Sequence, residues 1–298
     1  MNIGERIREL RISKLMTQAD LAGDRITRNM LSCIENGSAN PSLSTIVYIA
    51  GRLGVPAGFL LAEQGDEMAY RKMSNLSNIK KAYTTGDVRS CRSLCLSGCP
   101  EPDDEISLLL ANCDAGIAVE EFWSGKLRSS CRFFDEALSY AEKTIYPTDS
   151  IEAEIREYFR YMERISHTLY SDLLDEEKTL GVKSNSIMSQ YLDALDALDA
   201  GNVDTVKHLI VQLLEDGSNS FFAAHLQNKL LITEKNYKAA QKALQQLLQD
   251  SATPLNKIKL YTVLEDLEIC CRENEDYKNA YRYASEKVEL LEQLLQEY

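Results

Sequence analysis

The chain has 298 residues, with 33 lysines and arginines against 46 acidic residues and a formal net charge of −13, which makes it too long for one small module and, taken whole, too acidic to grip phosphates along its length. Its 14 glycines and 6 prolines amount to about 7% of the residues against an ordinary ~12%, which disfavours turn-dense all-β and collagen-like classes and leaves a mostly helical protein. No apolar run approaches the roughly 18 residues of a membrane span, and Met1-Asn2-Ile3-Gly4-Glu5-Arg6 lacks the apolar stretch of an export signal, so a soluble cytoplasmic protein without membrane contact, its eight cysteines reduced, is expected.

Charge divides the chain. Residues 1–64 carry seven basic against six acidic side chains, a net of +1, so the remainder holds −14. The polar segment Glu63-Gln64-Gly65-Asp66-Glu67 follows the apolar run Phe59-Leu60-Leu61 and reads as a linker, giving domains at 1–64 and 65–298.

In the first domain, Ile3, Ile7, Leu10 and Leu15 recur at helical spacing, with Arg6, Arg8, Arg11 and Lys14 between them, and predict a helix over 2–15. Thr17 is placed to cap a short helix through Ala22, and Thr27 a third helix through Asn36 that Gly37 closes. Leu31 and Ile34 would be its buried face, leaving Arg28, Asn29, Ser32 and Cys33 outward. Ser42 can cap a fourth helix running to Leu53, and Gly54-Val55-Pro56 turns into a fifth through Phe59 and Leu60.

Thr17-Gln18-x-x-Leu21-Ala22, Ile26-Thr27-Arg28, Ile34-Glu35-Asn36-Gly37, Asn40-Pro41-Ser42 and Leu53-Gly54-Val55-Pro56, in this order, resemble the Xre-type helix-turn-helix of phage repressors and many bacterial regulators. The resemblance implies a third helix lying in the major groove of double-stranded DNA, with Arg28, Asn29 and Cys33 toward base edges and Ser32 on the same outward face. Arginine can pair with guanine and asparagine with adenine in bidentate fashion. Gln18 matches a phosphate-contacting position, Thr17 and Thr27 add hydroxyl and backbone donors, and Arg11 and Glu35 match a structural ion pair. The turn Gly23-Asp24-Arg25-Ile26 is one residue shorter than the usual pattern, and Met30 and Cys33 are unusual outward residues for base reading.

Beyond the linker a phrase recurs: helix, short polar turn, second helix with small packing residues. Its turns fall at Gly86-Asp87, Gly125-Lys126, Gly201-Asn202, Asn236-Tyr237 and Asp276-Tyr277, spaced by 39, 76, 35 and 40 residues, so a diverged unit is expected over 149–184. The pattern resembles tetratricopeptide repeats. It implies an all-α protein in which a five-helix DNA-binding head precedes a right-handed superhelix of about six helix pairs, the first helix of each pair lining a groove. The groove positions implied are Asn112, Val119, Phe122 and Trp123, then Tyr191 and Leu195, then His225, Lys229 and Ile232, then Glu265, Asp266 and Arg272.

A helix-turn-helix followed by such an array resembles the Rgg/PlcR-like peptide-pheromone-responsive regulators of Gram-positive bacteria. That likeness implies a homodimer on a pseudo-palindromic operator, controlled by a short signalling peptide bound in the groove. The acidic array favours a neutral or basic, partly apolar peptide. Two alternatives remain at this level: a constitutive or prophage-type regulator whose repeats only dimerise, and a protein-interaction adaptor without DNA binding. Cys91, Cys95 and Cys99 share one helical face at i, i+4 and i+8, but no CxxC or nearby histidine completes a metal set, Pro100 ends the helix, and packing is the expected role. His167, His208 and His225 are scattered. No catalytic, nucleotide or metal motif is present, so neither an enzyme nor a cofactor is expected. The stretch Asp172 to Glu177 and the trio Asp193, Asp196 and Asp199 read as solvated faces.

Overall fold

A computed structural model describes residues 2–62, 66–99, 101–171, 186–215, 220–249 and 254–296. Among them there are sixteen helices and no strand. Glu63, Gln64 and Gly65 of the expected linker, Pro100 and the acidic stretch Asp172 to Glu177 lie outside the described residues. Contacts gather the chain into two units, Met1–Asp103 and Asp104–Tyr298, so the first unit continues beyond the expected linker through two further helices.

The first unit opens with α1 (Ile3–Ser13), α2 (Gln18–Ala22), α3 (Arg28–Glu35), α4 (Leu43–Leu53) and α5 (Ala57–Leu61). Each of the first four starts has a polar cap, and α5 begins after Pro56 without one. Thr17 accepts from the Asp20 N–H, Thr27 from Met30 and Ser42 from Thr45, and Asn2 forms a reciprocal pair with Glu5 ahead of α1. Helix α1 stops two residues before the expected Leu15, which turns left-handed at φ 55°. Ile7, Leu21, Leu31, Ile34, Ile49 and Leu53 form a closed core, so the apolar periodicity is the packing plan. Arg6, which the helical pattern sets beside the exposed Arg8, is buried instead, its guanidinium donating to the Phe59, Leu60 and Ala62 carbonyls at the end of α5.

Helices α6 (Asp66–Thr84) and α7 (Val88–Gly98) complete this unit. Cys91, Cys95 and Cys99 are all buried there, and the Cys91 thiol donates to the Ile79 carbonyl at 3.9 Å. Burial, then the neighbouring Cys91 and Cys99 thiols, push Cys95 up to about 12, so at neutral pH it is a protonated packing group.

The second unit contains α8 (Asp104–Trp123), α9 (Leu127–Ala141), α10 (Asp149–Ile165), α11 (Ile187–Asp199), α12 (Val203–Glu215), α13 (Ser220–Thr233), α14 (Tyr237–Gln249), α15 (Lys257–Glu273) and α16 (Tyr277–Leu294). Each of α6/α7, α8/α9, α11/α12, α13/α14 and α15/α16 is joined by the same turn. One residue is left-handed, namely Gly86, Gly125, Gly201, Lys235 or Glu275, and the next donates its N–H to a carbonyl five residues back. This is the Schellman closure that the G-D/N phrase encodes, with glycine at three of the five left-handed positions. Helix α10 fills the first half of the diverged unit; the place of its partner falls on residues outside those described. An aromatic chain runs through the core, from Phe134 to Tyr158, Phe122, Tyr161 and Tyr191, with successive ring centroids 5.4, 4.9, 5.6 and 6.0 Å apart.

Candidate nucleic-acid interface and repeat-domain cavity

In the first unit one carboxylate organises three helices. Glu35, at the end of α3, accepts from Arg11 of α1 through Nε at 2.7 Å and Nη2 at 3.0 Å, and from the Gln18 amide of α2 at 2.9 Å. Arg11 also donates to the Met16 carbonyl at 2.9 Å, tying down the α1–α2 connection. Burial would raise the Glu35 carboxyl, but the hydrogen bonds from Arg11 and Gln18 outweigh it and hold Glu35 below the usual carboxylate range. The backbones are equally close: a Cβ on Gly4 would stand 2.0 Å from the Ile34 carbonyl oxygen, so only glycine lets α1 pass the end of α3. From the other side, Tyr48 of α4 donates to the Ala22 carbonyl at 3.0 Å and Arg52 donates to the Asp20 carbonyl, fixing α2.

Helix α3 is thereby held by its buried Leu31, Ile34 and Glu35. Arg28, Asn29, Met30 and Cys33 are exposed and Ser32 is half-buried. The outward face drawn from helical spacing is therefore the face the fold leaves open. Thr27 caps α3 while keeping its hydroxyl hydrogen to donate, whereas the Thr17 hydroxyl is engaged with Asp20 at 2.7 Å. Gln18 gives one amide hydrogen to Glu35 and keeps its carbonyl and second hydrogen. The Gln18–Glu35 bond was not legible because it depends on the α2–α3 angle.

In the second unit, α10, α11, α13 and α15 enclose a cavity of about 150 Å³. Five of the twelve groove positions named from the repeat pattern line it: Tyr191 and Leu195 from α11, His225 and Lys229 from α13, and Glu265 from α15. Asp266 lies fully buried behind them, its carboxylate 3.0 Å from His225 Nε2 and 2.7 Å from Lys229 Nζ, while His225 Nδ1 meets the Tyr191 hydroxyl at 2.9 Å. Burial acts to raise Asp266, yet the His225 hydrogen bond and the facing charges hold it below the usual range; for Lys229, attraction to Asp266 overcomes the burial that would lower it.

The other named positions fall elsewhere. Phe122 is a core residue with no exposed surface, and the Asn112 side chain returns to the Leu108 carbonyl at 2.8 Å. Val119, Trp123 and Ile232 are half-buried against the core, and Arg272 is exposed near Glu268 and Glu273. Sequence reasoning missed Tyr161 and Arg164 of α10, which line the cavity, because α10 carries no recognisable repeat turn. Asp193, Asp196 and Asp199 lie on a solvated face, as expected, but that reading did not include their partners. They are exposed but paired, Arg160 reaching Asp193 and Asp196 at 3.1 and 2.6 Å and Arg164 reaching Asp196 and Asp199 at 2.5 and 2.9 Å, in a ladder between α10 and α11.

Residues 7–60 match the family model described as Helix-turn-helix. The immunity repressor protein of Bacillus phage phi105 is 29% identical over 116 residues, covering 37% of this chain and 81% of the repressor. Among solved structures, Bacillus thuringiensis PlcR in complex with the peptide PapR7 and DNA aligns at 15% identity over 98% of this chain and 96% of its own, with a TM-score of 0.30. ComR from S. thermophilus, in complex with DNA and its signalling peptide ComS, aligns at 16% identity over 97% and 99%, with a TM-score of 0.22. The helix-turn-helix match is confined to residues 7–60, and among the described residues that segment is followed by an all-helical repeat array.

Proposed function

We infer that this chain is a sequence-specific DNA-binding transcriptional regulator, working as a homodimer and controlled by a short peptide taken up by its repeat array. One observation carries the reading: in a helix-turn-helix segment, Arg28, Asn29 and Cys33 stand exposed on α3 while the Arg11–Glu35–Gln18 cluster locks the opposite side of that helix. Arg28 and Asn29 supply the bidentate donors that guanine and adenine edges accept, and Thr17, Gln18 and Thr27 sit at the starts of the two central helices where backbone N–H groups point outward to phosphate. A dimer imposes pseudo-palindromic half-sites about 34 Å apart. A peptide acts by binding one arrangement of the protein better than another, since equal affinity for both shifts nothing.

The test is footprinting of Cys33 with a thiol reagent. Operator DNA selected from genomic fragments is expected to protect Cys33 from alkylation, with Arg28→Ala narrowing the gap between selected and scrambled DNA and Gln18→Ala weakening both alike. Unprotected Cys33 in a saturated complex, or equal loss on both DNAs for Arg28→Ala, overturns the assignment. The relation to a phage immunity repressor favours a second reading, a regulator without ligand, in which no peptide alters the DNA affinity.

A further inference from the structure

The cavity in the second unit has an uneven charge. Two of its lining side chains are cations, and each already has its counter-ion: Arg164 lies against Asp196 and Asp199, at 2.5 and 2.9 Å, and Lys229 lies 2.7 Å from Asp266. Glu265, on the same wall, has no ion pair or hydrogen bond among the described residues. Lys229 and Lys287 attract it at longer range, but each is paired directly elsewhere, with Asp266 at 2.7 Å and Glu268 at 2.6 Å, so Glu265 is the charged lining side chain without a direct partner. The remaining lining is Tyr161, Tyr191 and Tyr261 together with Ile165, Leu195, Thr262 and His225, the last already bonded to Tyr191 and Asp266. A carboxylate ligand would have to displace an existing partner from Arg164 or Lys229, whereas a cation meets a carboxylate that has no direct partner, with tyrosine side chains beside it. Elsewhere in the same unit aromatic rings alone flank an ammonium: Lys259 Nζ stands 5.6, 5.0 and 5.6 Å from the ring centroids of Trp123, Phe221 and Phe222.

We propose that this cavity is a cation-recognition subsite, taking the ammonium or guanidinium end of one basic group between the three tyrosines with Glu265 as its counter-ion. At about 150 Å³ it is the size of cavity that holds a benzene-sized guest, so it admits the end of one side chain or one chain terminus and no more. The proposal deepens the peptide reading by giving the chemistry of the ligand's anchoring group. It rests on that reading only for the source of the cation.

Saturation-transfer NMR on the full chain, with the tyrosine rings irradiated, tests it. The probes are agmatine, pentanoate, acetyl-Leu-Arg-Leu amide, acetyl-Leu-Gln-Leu amide and the unacetylated Leu-Gln-Leu amide. Agmatine is expected to half-saturate at a concentration at least tenfold below pentanoate, and Glu265→Gln to weaken it tenfold or more, while Glu286→Gln, an exposed carboxylate on α16, leaves it unchanged. Transfer to the arginine tripeptide identifies a basic side chain as the source, and transfer to the unacetylated peptide a chain terminus. Saturation by agmatine with no transfer to either peptide keeps the subsite and removes the peptide reading. Pentanoate binding as tightly as agmatine, indifference of agmatine to Glu265→Gln in a protein of unchanged helicity, or no binding of any probe overturns the subsite, whatever peptides do to DNA affinity.

Discussion

The Arg11–Glu35 pair is the strongest single handle on the proposed DNA-binding face. The Glu35 side chain is 1% exposed and that of Arg11 12%, and two charge-assisted hydrogen bonds join them. Glu35→Gln keeps the shape and removes the charge, leaving a guanidinium that is almost dry beside a neutral acceptor. Hydrogen bonds to charged groups contribute about 1.5–3 kcal/mol, and cutting one partner from a fully buried pair costs about 3–5 kcal/mol. Because Arg11 keeps some water, a loss of about 2–3 kcal/mol is expected. With Arg11→Met in a double-mutant cycle, a coupling of about 1–3 kcal/mol should appear, read by hydrogen exchange of the α3 amides. The pH dependence supplies an internal check. Glu35 has a lowered carboxyl, so its contribution is fully present above the ordinary value of about 4.3 and is lost as pH falls through its depressed folded value. The gap between wild type and Glu35→Gln should therefore hold constant from pH 8 to about 5 and close below about 4. Additivity within about 0.5 kcal/mol, or a gap that persists unchanged to pH 3, would refute the coupling.

The repeat turns predict an ordering under urea: a Cβ at Gly201 meets nothing within 4 Å, so Gly201→Ala costs only the left-handed strain, about 1 kcal/mol, whereas at Gly125 it stands 3.0 Å from Lys257 and 3.1 Å from Leu294 and should cost about 1–3 kcal/mol more. Asp266→Asn leaves the Lys229 ammonium beside a neutral group and should destabilise by about 3 kcal/mol, an effect that Lys229→Met in the same chain reduces in chemical denaturation. In native protein at pH 8, iodoacetamide should label Cys33 within minutes while sparing Cys131 and Cys270, whose thiols burial pushes up to about 12; mass spectrometry of the peptides reads the order.

What the sequence made legible was whatever is settled within a few residues. The caps Thr17, Thr27 and Ser42 act on N–H groups three positions away, and the turn glycines act on their own φ angles, so both could be placed from spacing alone. The burial of Leu31 and Ile34, and hence the outward face of α3, followed from helical period. Interactions between helices far apart in the chain were out of reach. Arg6 caps the end of α5 across more than fifty residues, and the Arg160 and Arg164 ladder joins α10 to α11 across a diverged unit. The groove positions show the same limit: a repeat pattern finds the helix and the approximate face, which sufficed for Tyr191, His225, Lys229 and Glu265. It does not tell a cavity-lining position from one such as Phe122, whose ring packs against Trp123, Tyr158 and Tyr161.

The opening charge count can now be followed to individual side chains. Of the seven basic residues before the linker, Arg6 is committed to the α5 carbonyls, Arg11 to Glu35 and Arg52 to the Asp20 carbonyl, which leaves Arg8, Lys14, Arg25 and Arg28 exposed. Four cations set an upper bound on the phosphates one domain can neutralise. With a slope of roughly −0.9 per phosphate in log affinity against log salt, one domain can reach no steeper than about −4 and two acting together about −7. A full-length protein carrying −14 beyond the linker adds repulsion that salt relieves, which flattens the slope further. A measured slope between about −4 and −7 on selected DNA would therefore require more cations than one helix-turn-helix domain exposes, which a second such domain on the same site supplies. A slope steeper than about −8 would mean that cations outside this domain touch the phosphates, and the division of labour between a near-neutral head and an acidic body would be wrong.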